Sequence, residues 1–244
     1  MNLSQRLRML ARLWKYRLRE ERDSISFMRR QPLVGRTVVD VGANKGIYSY
    51  WMSRQVGRDG RVVAFEPQPE LRPHLEDLKR TFDLANLEII GKALSNRGGT
   101  AAMQRDKPGA LGATLDADHL PTLGASSSQS IDVEAIRLDD FCDRADVTSV
   151  AFIKCDVEGH ELAAFRGAQR VLEEHRPTLL FECHHHEAER GDLFNYLTAL
   201  GYEGYFLHGH TRIPHVKFRD VPYRKRSIKF RNYIFSHSAA SVTW

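Results

Sequence analysis

The stretch that most constrains the fold is Val38 to Gly46, which reads Val-Val-Asp-Val-Gly-Ala-Asn-Lys-Gly. The β-branched run Val38, Val39 and Val41 predicts a short strand buried on both faces, and the glycines that follow end it and open a helix at Ile47. A strand, a tight glycine turn and a helix make a nucleotide pocket. Gly42 and Gly46 are expected to let the backbone come close to a ligand where a side chain would clash. The first turn of the helix offers unpaired N–H groups to a carboxylate, and Asp40, at the strand's end, can hold a cationic group.

The spacing Gly-x-x-x-Gly differs from the Gly-x-Gly-x-x-Gly that seats a pyrophosphate, which points away from NAD and towards S-adenosylmethionine. That ligand lacks a phosphate but carries an amino-acid end with both charges and a ribose with two hydroxyls. About 20 residues past the turn, Arg61 to Glu66 reads as a second strand ending in an acid before Pro67, and an acid there can accept hydrogen bonds from both ribose hydroxyls.

A chain of 244 residues with 42% hydrophobic content can bury a proper core. No apolar run approaches the length that crosses a bilayer, and arginines interrupt every candidate signal sequence. Three cysteines, Cys142, Cys155 and Cys183, two of them within apolar runs, are expected to be reduced, and the protein to be cytoplasmic. The net charge of +5 is local: residues 1–30 hold nine Arg or Lys against three acids, leaving the rest near neutral. A second basic run, Arg224, Lys225, Arg226, Lys229 and Arg231, lies near the other end. Both suit an anionic partner as well as ordinary solvated charge.

From Leu3 to Leu18, Leu3, Leu7, Leu10, Trp14 and Leu18 recur at helical spacing between arginines. This basic amphipathic helix forms an N-terminal extension over residues 1–31, ahead of a main domain over 32–244. It could dock on its own domain, cover the acceptor pocket, lie on an anionic membrane surface, or pack on a second subunit in a homo-oligomer. Onward, helix and strand alternate: helices at 47–56, 69–84, 161–174 and 189–200, strands at 61–66, 87–90, 150–154 and 178–182. That alternation predicts an α/β fold on a parallel sheet with right-handed crossovers. Short strands at 98–104 and 130–138 flank 106–129, which has little periodicity and is expected to be a mobile loop. Two closing strands are expected at 204–207 and 233–236.

Asp-Val-Gly-Ala-Asn-Lys-Gly at Asp40 to Gly46, Phe-Glu-Pro-Gln-Pro at Phe65 to Pro69, and Ile-Lys-Cys-Asp-Val-Glu-Gly-His-Glu at Ile153 to Glu161 together resemble the FkbM-type methyltransferases. Phe-Arg-Gly-Ala at Phe165 to Ala168 and the apolar strand ending in Glu182 resemble them too. The third motif is the specific one. The resemblance, over about Val38 to Glu182, implies a class I, Rossmann-like S-adenosylmethionine-dependent fold with seven strands, the last antiparallel, and methyl transfer to a hydroxyl of a sugar, glycan, polyketide or similar metabolite. It places Asp40, Gly42, Asn44, Gly46 and Ser49, with Ala43, around the methionine end, Glu66 and Pro67 at the ribose, and Ala93 near the adenine. Asp156 and Glu158 then lie beside the methyl group.

The acceptor's proton needs a base, and Asp156, Glu158, His160, Glu182 and His184 all sit at the ends of adjacent strands. His160 is also a candidate helix cap. Glu182 with His184 and His186 is an alternative metal set, since side chains alternate along an extended segment; no metal is otherwise expected. The acceptor is expected to be a small molecule or glycan, of anionic character if the basic stretches contact it. An RNA methyltransferase or a non-catalytic S-adenosylmethionine-binding adaptor at a membrane surface are the other readings. Nucleic acid is disfavoured, because no aromatic-interleaved basic platform is present.

Overall fold

The computed structural model describes residues 3–110, 112–116, 129–209, 211–222 and 230–237. The chain opens with α1 (Leu3–Lys15), a π-helical turn (Tyr16–Glu20) and α2 (Arg22–Arg30). The main sheet then begins with β1 (Thr37–Val41), α3 (Ile47–Val56), β2 (Arg61–Phe65), α4 (Arg72–Thr81) and β3 (Leu87–Ile90). After β4 (Ala93–Leu94), β5 (Gly99–Arg105), β6 (Gln129–Ile136) and α5 (Leu138–Arg144), it resumes with β7 (Phe152–Cys155), α6 (Glu161–Arg166) and β8 (Thr178–His184). Helices α7 (His185–Arg190) and α8 (Asp192–Ala199) precede β9 (Tyr202–His208), β10 (Thr211–Pro214) and β11 (Phe230–His237).

The sheet order is β10-β9-β11-β8-β7-β1-β2-β3, with β1 at its centre between β2 and β7, both parallel to it. β11 runs antiparallel between β8 and β9, as expected for the last strand. The expected count of seven becomes eight, because β10 folds back on β9 as an edge hairpin. β4, β6 and β5 form a separate three-stranded sheet. Thr114 pairs back onto Gln104, so part of 106–129 is tied to this small sheet; residues 111 and 117–128 of that segment lie outside the described residues, as do 224–229 of the basic run.

Alternate residues of each strand face two different cores, the reason the strands read as unbroken apolar runs. Val39, Val63, Ile153, Leu179 and Phe181 face α5, α6 and α8. Val38, Val62, Phe152, Leu180 and Ile234 face the other way, and there Leu13, Ile25, Phe27 and Met28 of the first two helices are as buried as the strands themselves. The Trp51 indole donates to the Leu13 carbonyl, Trp14 packs edge-on against Trp51 at 5.4 Å, and the Arg17 guanidinium lies over both rings. Residues 3–30 thus cover one face of the sheet. Among the described residues no helix is long and apolar enough to cross a membrane. All three cysteines are buried and free.

Two expected elements differ. The helix expected over 161–174 stops at Arg166 and the chain continues through a π-helical turn (Val171–His175); between them Gly167 packs so closely that a Cβ there would lie 1.9 Å from the Ser95 carbonyl oxygen. The segment after Glu182 is extended only to His184, and α7 begins at His185.

The glycine turn is also constrained from within the protein. Gly42 and Gly46 have φ of +76° and +77°, and an added Cβ would strike protein: the Asp156 carbonyl oxygen at 2.0 Å for Gly42, the Leu78 and Leu75 side chains at 2.5 and 2.9 Å for Gly46. The glycines let the turn close against β7 and α4. Gly42→Ala is therefore expected to lower unfolding free energy by roughly 3 kcal/mol or more, against about 1–3 kcal/mol for Gly57→Ala, whose φ is also positive but whose surroundings are empty, so that only backbone strain is added; urea denaturation measures both. By the same method Phe27→Ala is expected to cost about 3–5 kcal/mol, as for a central core residue.

Candidate functional site

The strands β2, β1, β7 and β8 end side by side at the carboxyl edge of the sheet, where open α/β sheets bind ligands. Two clefts open there. The first is lined by Gly42, Asn44, Glu66, Pro67, Ala93, Asp156, Glu158 and His160, together with Gln68 and Lys92. The second runs beneath α1 and is lined by Arg12, Lys15, Glu21, Asp40, Ala43, Lys45, Tyr48 and Lys154. Gly42, Asn44 and Asp156 line both.

In the first cleft Glu66 is buried just past β2. Its two carboxylate oxygens accept the backbone N–H of Asn44 at 2.8 Å and of Gln68 at 2.9 Å, so one side chain ties the β1 turn to the segment after β2. Burial pushes its pKa up to about 7, those N–H groups oppose the rise, and nearby Asp40 adds to it. Each oxygen keeps lone-pair capacity for a further donor.

Beneath α1, Asp40 is buried and accepts the Ser49 hydroxyl at 2.5 Å, while burial raises its pKa to about 6. Ser49 is itself fully buried and lines neither cleft; it orients Asp40. Gly46 likewise lines neither. Opposite Asp40 in the β1–β7 register stands Lys154, buried, with its ammonium 3.6 Å from Asp156 Oδ2 and over the Tyr48 ring. Burial pulls this ammonium's pKa down, but Asp156, Glu182 and Glu21 together outweigh it, and the group stays charged. Glu21 arrives from the N-terminal segment and accepts hydrogen bonds from the Tyr48 hydroxyl and the Asn232 amide, both at 2.9 Å.

The five candidate bases separate into three groups. Asp156 stands at the junction of the clefts. Glu158 and His184 pair at 3.2 Å beside it; burial lowers the His184 pKa, yet its bond to Glu158 raises it on balance. Glu182 lies next to them; burial, Asp156 and Glu158 push its pKa up, and the Lys154 ammonium opposes the rise. His160 bonds the Ser95 hydroxyl at 3.0 Å, and burial lowers its pKa, leaving the ring neutral. It stands at the N-cap position of α6, yet its side chain makes no cap bond; Glu161 instead accepts the N–H groups of Val157 and Gly159.

The alternative metal set also changes membership. Glu158, not His186, gathers with Glu182 and His184, one ligand atom from each lying within 4.8 Å of the others. The alternation of an extended segment ends at His184, so His186 rides on α7 and is exposed.

Lys154, Tyr48, Glu21 and Glu161 escaped the sequence reading as site residues. An isolated lysine inside the apolar run Val150 to Cys155 was a usable signal for a buried cation. Glu21 had none, since nothing local tells which surface acid the fold will bury.

Residues 40–203 match the family model described as the methyltransferase FkbM domain. The hexuronic acid methyltransferase AglP of Haloferax volcanii is 27% identical over 164 residues, covering 66% of this chain and 62% of that protein, so the chain spans less than two thirds of this relative's length. The FkbM methyltransferase of Methylobacillus flagellatus KT superposes with a TM-score of 0.56 at 20% identity, over 82% of this chain and 43% of that one. A Streptococcus mutans protein solved in complex with S-adenosylhomocysteine superposes with a TM-score of 0.51 at 9% identity, over 89% and 97% of the two chains. With the family match covering more than half its length, the chain belongs to the FkbM methyltransferase family.

Proposed function

We propose that the chain is an S-adenosylmethionine-dependent O-methyltransferase acting on a hydroxyl of an acid-bearing sugar or glycan. The observation that carries this reading is the meeting of two clefts at Gly42, Asn44 and Asp156. One cleft has the features an adenosine needs, and the other leads from the same point to the surface beneath α1. The donor set fits the proposed cofactor. Glu66 keeps acceptor capacity for two ribose hydroxyls, and in its cleft Glu66, Asp156 and Glu158 stand against Lys92, which suits a ligand with positive charge. When bound, S-adenosylmethionine supplies an electrophilic methyl group on a sulfonium.

The chain's own residues then have two tasks. Holding the acceptor oxygen in line accounts for roughly 7–11 kcal/mol of barrier lowering in well-oriented reactions. Asp156 is the carboxylate we assign to the acceptor's proton, because it lines both clefts; Lys154 fixes the orientation of one of its oxygens. Glu182 and the Glu158–His184 pair flank it. Arg12, Lys15 and Lys45 line the acceptor side, which suits an acidic sugar; the Haloferax relative is named for a hexuronic acid.

Asp156→Asn is expected to lower kcat by about 10²–10⁴ while changing S-adenosylmethionine affinity only a few-fold, read by methyl transfer to uronic-acid-containing sugars and by calorimetric titration. An equal loss of both would reassign Asp156 to binding. The cofactor site has its own pH signature. Ribose hydroxyls donate to ionised Glu66, so affinity is expected to strengthen as pH rises through about 7 and to weaken below it. Calorimetry across that range should lose this dependence in Glu66→Gln.

A further inference from the structure

Helix α1 carries more apolar surface than its own domain uses. Met9, Leu13 and Tyr16 form the stripe that packs on the core. Leu3, Leu7 and Trp14 form a second, neighbouring stripe at helical spacing, continued by Leu18 in the π-helical turn, and these four are 72%, 56%, 44% and 59% exposed. Of the seven large hydrophobic side chains exposed among the described residues, four lie on this one segment. Exposed apolar side chains gathered in this way mark an interaction surface. Around them stand Arg6, Arg8, Arg12, Lys15, Arg19 and Arg22, all exposed, against few acids.

A leucine and tryptophan stripe beside a row of cations is the pattern of a helix that lies in the plane of an anionic lipid surface. A protein partner would have to supply both a groove and a matching acidic rim. A bilayer with anionic headgroups supplies both without shape matching, since the apolar side chains enter the acyl boundary while the arginines stay at headgroup level. From this charge complementarity we infer that the segment Leu3 to Arg22 is a docking surface for anionic phospholipid bilayers. Ala11, Arg12, Lys15 and Tyr16 of the same segment line the acceptor cleft. Docking therefore sets the cleft mouth beside the membrane, within reach of an acceptor displayed there. That last consequence rests on the acceptor reading above; the docking does not.

The test is co-sedimentation of the full chain, without cofactor or acceptor, with phosphatidylcholine vesicles and with vesicles that also contain phosphatidylglycerol. Binding is expected only to the second kind, to fall at high salt, and to weaken roughly tenfold or more both in Leu7→Glu/Leu18→Glu and in Arg6→Glu/Arg19→Glu. All four side chains are exposed, so melting temperatures are expected to match the wild type. In wild type alone, brominated acyl chains should quench the Trp14 contribution to fluorescence, with Trp14→Phe as the reference. No binding, or equal binding to both vesicles, overturns the inference. So does a dimer in light scattering that Leu7→Glu/Leu18→Glu dissolves without any vesicle binding, which would make a second copy the occupant. None of these readouts depends on methyl transfer, so failure here leaves the enzymatic reading standing, and the reverse holds too.

Discussion

The structure at the carboxyl edge depends on one buried charge. Lys154 occupies an inward position of β7 beside the central strand, where an aliphatic side chain would pack at less cost. An ammonium so placed persists only if acids surround it, and Asp156, Glu182, Glu21 and Asp40 come from four different segments to do so. Burial pushes the pKa of Glu182 up and that of Asp40 to about 6, and the same ammonium opposes both rises, so cation and acids hold each other in their charged forms. Removing one partner from such a cluster costs more than the pair itself contributes, because the remaining charge stays buried.

The two clefts are products of different parts of the chain. The first cleft is made by consecutive strand-turn units, β1 to β2 and β7, together with the small sheet, and is cross-braced by Glu66. The cleft beneath α1 is roofed by residues from outside that alternation. The same division appears in the family match, which begins at residue 40 and leaves α1 and α2 outside.

Much of the architecture was legible because its signals are local. The Val38 to Gly46 run, the acid at Glu66 and the apolar strand before Asp156 each announce an element by composition and spacing alone. Legibility ended where a tertiary contact decides. The close approach of Gly167 to Ser95, far away in sequence, leaves no local mark; β4 is too short to show a period; β10 exists only as the back half of an edge hairpin. The glycines of the turn were recognised, but not that Asp156, Leu75 and Leu78 pack against them. Within the site, the strand-end acids could be named in advance, but which of them pair could not, since Glu158 meets His184 across the β7–β8 crossover.

The hydrogen bond from Asn232 to Glu21 joins positions 211 residues apart. Loop closure on that scale is entropically late, since contacts distant in sequence form only after the intervening chain has condensed. The first two helices pack mainly on α3, β1, β2 and β7, and Glu21 already finds Tyr48 there. Asn232 of β11 adds the second donor to the same carboxylate, so the last strand braces from one side what the first helices roof from the other.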